Sequence, residues 1–412
     1  MSFFKTRDPY RVYIYTCFLS QLFFTFIFTI NLLYQVKIVM LEPLQLVLVG
    51  TVLELSVFLF EIPTGVVSDV KSRKLSIIIG YFLIGGGFLI EGLFPFFTTV
   101  LLAQVAWGIG YTFTSGSQQA WITDEVGEEH ASKAFINGAK AGNLGQIIAI
   151  PLSILMGLFM ISLPIIIGGL CMIGLAVYLI IFMKEEKFKP LDKTKRTSSW
   201  ESMKGNMTKI IFYSKVSFLM RMLFLIALFV GFYSEGFDRL WLSQLFNIAN
   251  IAVLKDEHLV LLMGGIQFVV VLVSFTALHL VNKGSIQQNI RHIYMALLIG
   301  SLVIITSLLG FAMSTYIAGL LAFYVIIQVT RQVMYPLEDI WLNSIIPDSS
   351  TRATFFSVKG QVDAIGQIGG GPVIGYIATS FTIKTAIIVS AILLTPVLFL
   401  YNIVLKKSKE NN

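Results

Sequence analysis

The sequence predicts an all-α integral membrane protein with twelve transmembrane helices in two six-helix bundles, and three observations lead there. Of 412 residues, 56% are hydrophobic and only 13% charged, with a mean hydropathy of +0.81. Soluble domains carry about 25% charged residues, so a soluble globular protein is excluded. The apolar runs match the ~20 residues that cross a ~30 Å hydrocarbon core, which leaves room for about a dozen crossings and no sizeable soluble domain. Finally, one long hydrophilic stretch, residues 184–214, divides the runs into six and six.

In the first half the crossings are expected at 10–36, 44–69, 74–95, 98–121, 131–156 and 160–183, each ended by polar or glycine/proline punctuation. Lys37 and Glu42-Pro43 separate the first pair, Lys71-Ser72-Arg73-Lys74 the second from the third, and Pro95 the third from the fourth. An acidic loop beginning at Asp124-Glu125 precedes the fifth. In the second half the same reasoning gives 215–243, 257–281, 290–311, 314–345, 351–379 and 382–405. The domains are therefore residues 1–183, a cytoplasmic linker 184–214 with a short amphipathic piece near Trp200–Phe212, and residues 215–412. The start MSFFKTRDPYR lacks a cleavable signal pattern, so the first crossing is expected to be its own uncleaved insertion signal.

Charge fixes the orientation. With the N-terminus inside, 22 lysines and arginines fall in segments placed in the cytoplasm, Lys215 at the linker's end included, and three (Lys37, Lys255, Lys384) fall outside. Such a bias puts both termini in the cytoplasm of a cell-membrane protein, and it explains the net charge of +7 as a topological signal, with no nucleic acid implied. Cys17 and Cys171 both lie in apolar runs and are read as small hydrophobes, which leaves no disulfide or metal site. The four histidines fall near helix ends, and no zinc-protease, serine-hydrolase or phosphate-loop pattern occurs. Neither an enzyme nor an ATP-driven pump is expected, and no cofactor. The expected partners are a small-molecule substrate, protons and membrane lipid, with the chain acting as a monomer.

The halves repeat. Gln119-Ala120-Trp121 ends the fourth helix and Leu144-Gly145-Gln146-Ile147 lies in the fifth; Asp339-Ile340-Trp341 ends the tenth and Ile365-Gly366-Gln367-Ile368 lies in the eleventh. The tryptophan-to-glycine spacings are 24 and 25 residues. A parallel six-plus-six repeat is the plan of transporters in which one bundle rocks against the other.

The sharpest motif is Glu61-Ile62-Pro63-Thr64-Gly65-Val66-Val67-Ser68-Asp69-Val70-Lys71-Ser72-Arg73-Lys74. Here Gly65 offers close helix approach, Asp69 a partner for arginine or capping amides, and Arg73 and Lys74 a headgroup-level anchor. Gly65, Asp69, Arg73 and Lys74 resemble the gating-loop signature of the major facilitator superfamily, with Ser72 where a glycine is usual, so the turn is expected without a positive φ. Glu61-x-Pro63-x5-Asp69-x3-Arg73-Lys74, preceded by Glu54 and joined by Trp121-Ile122-Thr123-Asp124-Glu125, resembles the clostridial-type tetracycline efflux proteins of the drug:proton antiporter branch. The resemblance implies the major facilitator fold and a secondary active transporter. Its function would be proton-coupled export of a small amphipathic compound, with drug resistance as the consequence. A proton-linked nutrient importer is the alternative, and a non-transporting membrane sensor on the same fold the third reading.

Charges inside crossings cost ~2.5–3.5 kcal/mol each at mid-helix. Glu54 and Glu61 share a helix face and a sign, with Lys140 the candidate partner, and are expected to be the proton-coupling pair unless Glu54 pairs permanently with Lys140. In the second half Glu235, Asp238, Arg239, Arg331, Glu338, Asp339, Lys359 and Asp363 form a charge network. Spacing suggests the pairs Glu235/Arg239, Lys359/Asp363 and Arg331/Glu338 on shared faces. The glycines of helix 11 from Gly366 to Gly375 resemble an antiporter motif usually placed in helix 5, or are ordinary close packing. Gln21, Asn31, Tyr34, Gln104, Trp107, Tyr111 and Tyr233 are the candidate lining of the substrate cavity, aromatics with a few polar groups suiting an amphipathic ligand.

Overall fold

A computed structural model describes residues 8–188, 205, 208, 212, 215, 217–249, 254–283, 289–346 and 352–410. The amphipathic piece expected near Trp200–Phe212, most of the linker, and Lys5 and Arg7 lie outside the described residues, isolated positions aside.

Thirteen helices are present among the described residues: α1 Pro9–Lys37, α2 Pro43–Val70, α3 Arg73–Leu93, α4 Phe97–Thr114, α5 Ser117–Val126, α6 Glu128–Phe159, α7 Leu163–Phe182, α8 Phe218–Ala249, α9 Asp256–Lys283, α10 Ile290–Met313, α11 Ile317–Ile345, α12 Arg352–Ser380 and α13 Ile383–Glu410. Ten of them are long and apolar enough to cross a membrane. Helices dominate because lipid offers no partner to a free amide, so each spanning segment must satisfy its own backbone.

Local chemistry sets the helix ends. Asp8 caps α1 by accepting from the Tyr10 amide at 3.2 Å, with Pro9 pre-set for the first turn. Asn289 caps α10 through the Arg291 amide at 2.9 Å. The fourth crossing differs from expectation. It ends at Thr114, and a separate short helix carries Trp121, because Gly116 adopts φ +74°, a left-handed conformation that side-chained residues avoid. A second such glycine, Gly127 at φ +83°, turns the chain from α5 into α6.

The chain forms two compact units. The first comprises Met1–Met40, Val52–Met203 and Lys255–Gly264, and the second Leu41–Thr51, Lys204–Leu254 and Gly265–Asn412. In the first, α1 packs on α6 and α7, and α3 packs on α4 and α7. In the second, α8 packs on α12 and α13, and α10 packs on α11 and α13, the same scheme repeated. The repeat seen in sequence marks equivalent places. Trp121 and Trp341 are both fully buried. A Cβ added at Gly145 would stand 2.5 Å from the Phe18 carbonyl oxygen of α1, and one at Gly366 would collide with the Leu228 carbonyl of α8. In both units the glycine of the Gly-Gln-Ile triplet is therefore the point where two helix backbones meet, which a side chain would force apart.

Candidate functional site

The α2–α3 turn is the best-defined polar centre of the first unit. Ser72 is the N-cap of α3 with φ −177°, and its hydroxyl accepts from the Leu75 amide at 2.9 Å. Serine caps the helix where glycine would only turn it, and no positive φ is needed. Arg73 forms an ion pair with Asp124 on α5 at 2.9 Å and lies over the Phe188 ring. Ser72 donates to Glu185, whose carboxylate also accepts the Lys74 amide at 3.0 Å. Trp121 donates to the Lys184 carbonyl at 2.7 Å, and Glu125 accepts the Glu186 and Lys187 amides at 2.8 and 3.0 Å. The Trp121–Glu125 motif thus clamps both the α2–α3 turn and the chain leaving α7. Burial pushes the Asp124 carboxyl above its usual range, outweighing the downward pull of the Arg73 guanidinium. Asp69 sits half-buried at the end of α2, and Arg73 turns to Asp124 instead of to it. Among the described residues a Cβ at Gly65 would meet nothing within 4 Å, so the close approach expected at this glycine is not made there.

Between α1, α5 and α6 lies a cavity of about 400 Å³ lined by Tyr13, Cys17, Ser20, Gln21, Gln118, Gln119, Phe135, Gly138, Ala139, Gly142 and Asn143. Four carboxamides, a serine, a cysteine and two aromatic rings line it, and among the described residues no charged side chain does. Gln21 is the one residue of the expected lining found there. The signal that locates the others is spacing: Tyr13, Cys17 and Gln21, like Gly138 and Gly142, recur every four residues and so share one helix face.

The remaining expected lining lies elsewhere. Asn31 and Gln104 are buried and donate to the Glu91 carboxylate at 2.9 and 3.3 Å, joined by Gln35 at 2.9 Å, while the Tyr34 hydroxyl donates to the Glu91 carbonyl. Trp107 packs with Phe24, Phe28 and Phe88, its ring centroid 4.8–6.4 Å from theirs. Tyr111 is exposed, and Tyr233 is buried under the Arg331 guanidinium in the second unit. Glu54 and Glu61 are half-buried on α2, and Lys140 is exposed on α6.

In the second unit the charges pair across helices more than along them. Glu235 and Arg239 meet at 2.9 Å as their spacing suggests. Arg331 of α11, however, grips Asp238 of α8 through two bonds of 2.6 and 2.9 Å, and not Glu338. Lys359 of α12 takes Glu338 at 2.8 Å and Asp339 at 3.7 Å, both on α11, while Asp363 accepts from Gln367 at 2.8 Å. Two of the three pairs that spacing suggests are therefore replaced by interhelical partners, which spacing along one helix does not encode.

Comparison with known proteins agrees with this architecture. The Major Facilitator Superfamily profile matches residues 13–301. The chain is 27% identical over 381 residues to the uncharacterized MFS-type transporter YxaM of Bacillus subtilis (strain 168), covering 90% of this chain and 89% of that one. Among solved structures, the nucleoside transporter NupG superposes with a TM-score of 0.71 at 14% identity, covering 97% and 99% of the two chains. A POT family transporter in complex with 5-aminolevulinic acid gives 0.72 at 13% identity, covering 99% and 98%.

Proposed function

The chain belongs to the major facilitator superfamily, as a multi-pass membrane protein and secondary transporter, and we propose that it exports a small amphipathic compound from the cell in exchange for protons. The observation that carries the reading is the cavity of the first unit, about 400 Å³ with a lining of carboxamides and aromatic rings. Such a lining suits an uncharged or weakly basic solute with an apolar face, held by hydrogen bonds and ring contacts. Outward direction and proton coupling rest on the Glu54, Glu61 and Asp69–Lys74 pattern shared with drug:proton antiporters. Glu54 is the coupling acid and Glu61 its cytoplasmic-side relay. Asp69, Arg73 and Lys74 act in gating, and the paired charges of the second unit hold its helices in register. The cell membrane is its place, with both termini cytoplasmic.

Uptake of a neutral polar nutrient is the second reading, favoured by the same uncharged carboxamide lining. Inverted vesicles separate the two. Adding a substrate from a panel of amphipathic drugs and neutral metabolites should release protons from acid-loaded inverted vesicles holding the protein. Release by none of the panel, together with solute uptake in right-side-out vesicles, would replace export by import.

A further inference from the structure

Away from the cavity, α1, α3 and α4 enclose a second polar centre around Glu91, which is 0% exposed. Its Oε1 accepts from Asn31 and Gln35, both at 2.9 Å, and its Oε2 accepts from Gln104 at a longer 3.3 Å. Gln35 also donates to the Asn31 carboxamide oxygen at 2.9 Å. Two acceptors in this centre nonetheless lack a donor: the Oε1 atoms of Gln35 and Gln104, on residues 0% and 1% exposed. A buried acceptor left without a donor costs about 1–3 kcal/mol.

An ionised Glu91 offers these oxygens no donor, since a carboxylate only accepts. A protonated Glu91 carries one hydroxyl donor, enough to answer one of the two. We propose that Glu91 with Asn31, Gln35 and Gln104 is a proton-binding site, loaded in this buried arrangement and emptied when the centre opens to water. The proton adds to Oε2, the oxygen with the longer contact, and passes its hydrogen bond to a carboxamide oxygen. The ionisable groups near this end of the packed helices are Tyr34 and Lys37 on α1, with Asp256 of α9 holding Lys37 at 2.6 Å and Glu257 and His258 following it. On α4 there is none between Phe97 and Gln104, and on α7 none before Cys171. The site stands whichever direction the substrate moves, and it adds a second acid to Glu54 without depending on it.

Infrared spectroscopy of the purified full-length protein in lipid tests this. At neutral pH wild type should show a protonated-carboxyl band, Glu91→Gln should lack that component, and Asp363→Asn should keep it. A wild-type spectrum without the band, or one unchanged by Glu91→Gln, would show Glu91 ionised and overturn the proposal. Should Glu91→Gln fail to accumulate, Gln104→Met discriminates equally. Removing an acceptor should move the band to higher frequency, and an unmoved band counts against the site.

Discussion

Replacing Lys359 by methionine removes a cation whose side chain is 18% exposed and which faces Glu338 (13% exposed) at 2.8 Å. At an effective dielectric constant of about 20, two unit charges at that separation attract by roughly 6 kcal/mol, much of which offsets the cost of stripping water from both. What survives is the penalty for leaving Glu338 buried without its cation, expected at ~3–5 kcal/mol. Asp339 is 52% exposed at 3.7 Å and adds little, because solvent screens it. Lys359→Met should therefore lower unfolding stability in detergent by several kcal/mol. Glu338→Gln in the same chain should recover most of the loss, a coupling of at least about 2 kcal/mol in a double-mutant cycle. The Lys359→Met and Asp363→Asn pair should couple more weakly than this, since Asp363 is held by Gln367 and feels Lys359 without an ion-pair contact. A large coupling to Asp363 with none to Glu338 would refute the interhelical pairing.

Three further outcomes are expected. Asp124→Asn should slow turnover while leaving substrate affinity near normal, because the Arg73–Asp124 bridge lies at the helix turn and outside the cavity lining; since the Asp124 carboxyl is pushed upward, its bridge should also open on acidification at a higher pH than an ordinary aspartate's, as turnover against pH will report. Gly145→Val should abolish folded protein because its Cβ would meet the Phe18 carbonyl at 2.5 Å, whereas Gly65→Ala, with nothing within 4 Å, should express normally and gain up to about 1 kcal/mol from helix propensity. Gln118→Leu and Asn143→Leu should each weaken substrate binding by roughly five- to thirty-fold, the loss of one or two hydrogen bonds, and bound substrate should protect Cys17 from a maleimide reagent.

The crossings were legible because a lipid-spanning helix leaves a length and a hydropathy that short-range reading detects. So was the repeat, since Trp121 with Gly145 and Trp341 with Gly366 occupy matching places in two identically connected units. The break at Gly116 was not read, although Ser115-Gly116-Ser117 is a turn signal, because the apolar run of the fourth crossing is carried through it to Trp121; its φ of +74° marks the turn. Spacing along one helix found Glu235 with Arg239 but missed Lys359 with Glu338 and Arg331 with Asp238, which depend on how neighbouring helices are set in height. The Glu91 centre escaped for a related reason. Asn31 and Gln104 read singly as cavity lining, and only α1, α3 and α4 together bring them, with Gln35, to one carboxylate.

Proton-driven transport through Glu54 is the central claim, and proteoliposomes test it directly. With an imposed pH gradient, wild type should accumulate a substrate identified by vesicle proton release against its own concentration. Glu54→Gln, fixed in the neutral form, should only equilibrate it downhill, and Glu61→Gln should be slower yet still concentrative. Accumulation by Glu54→Gln in response to the gradient would contradict the account.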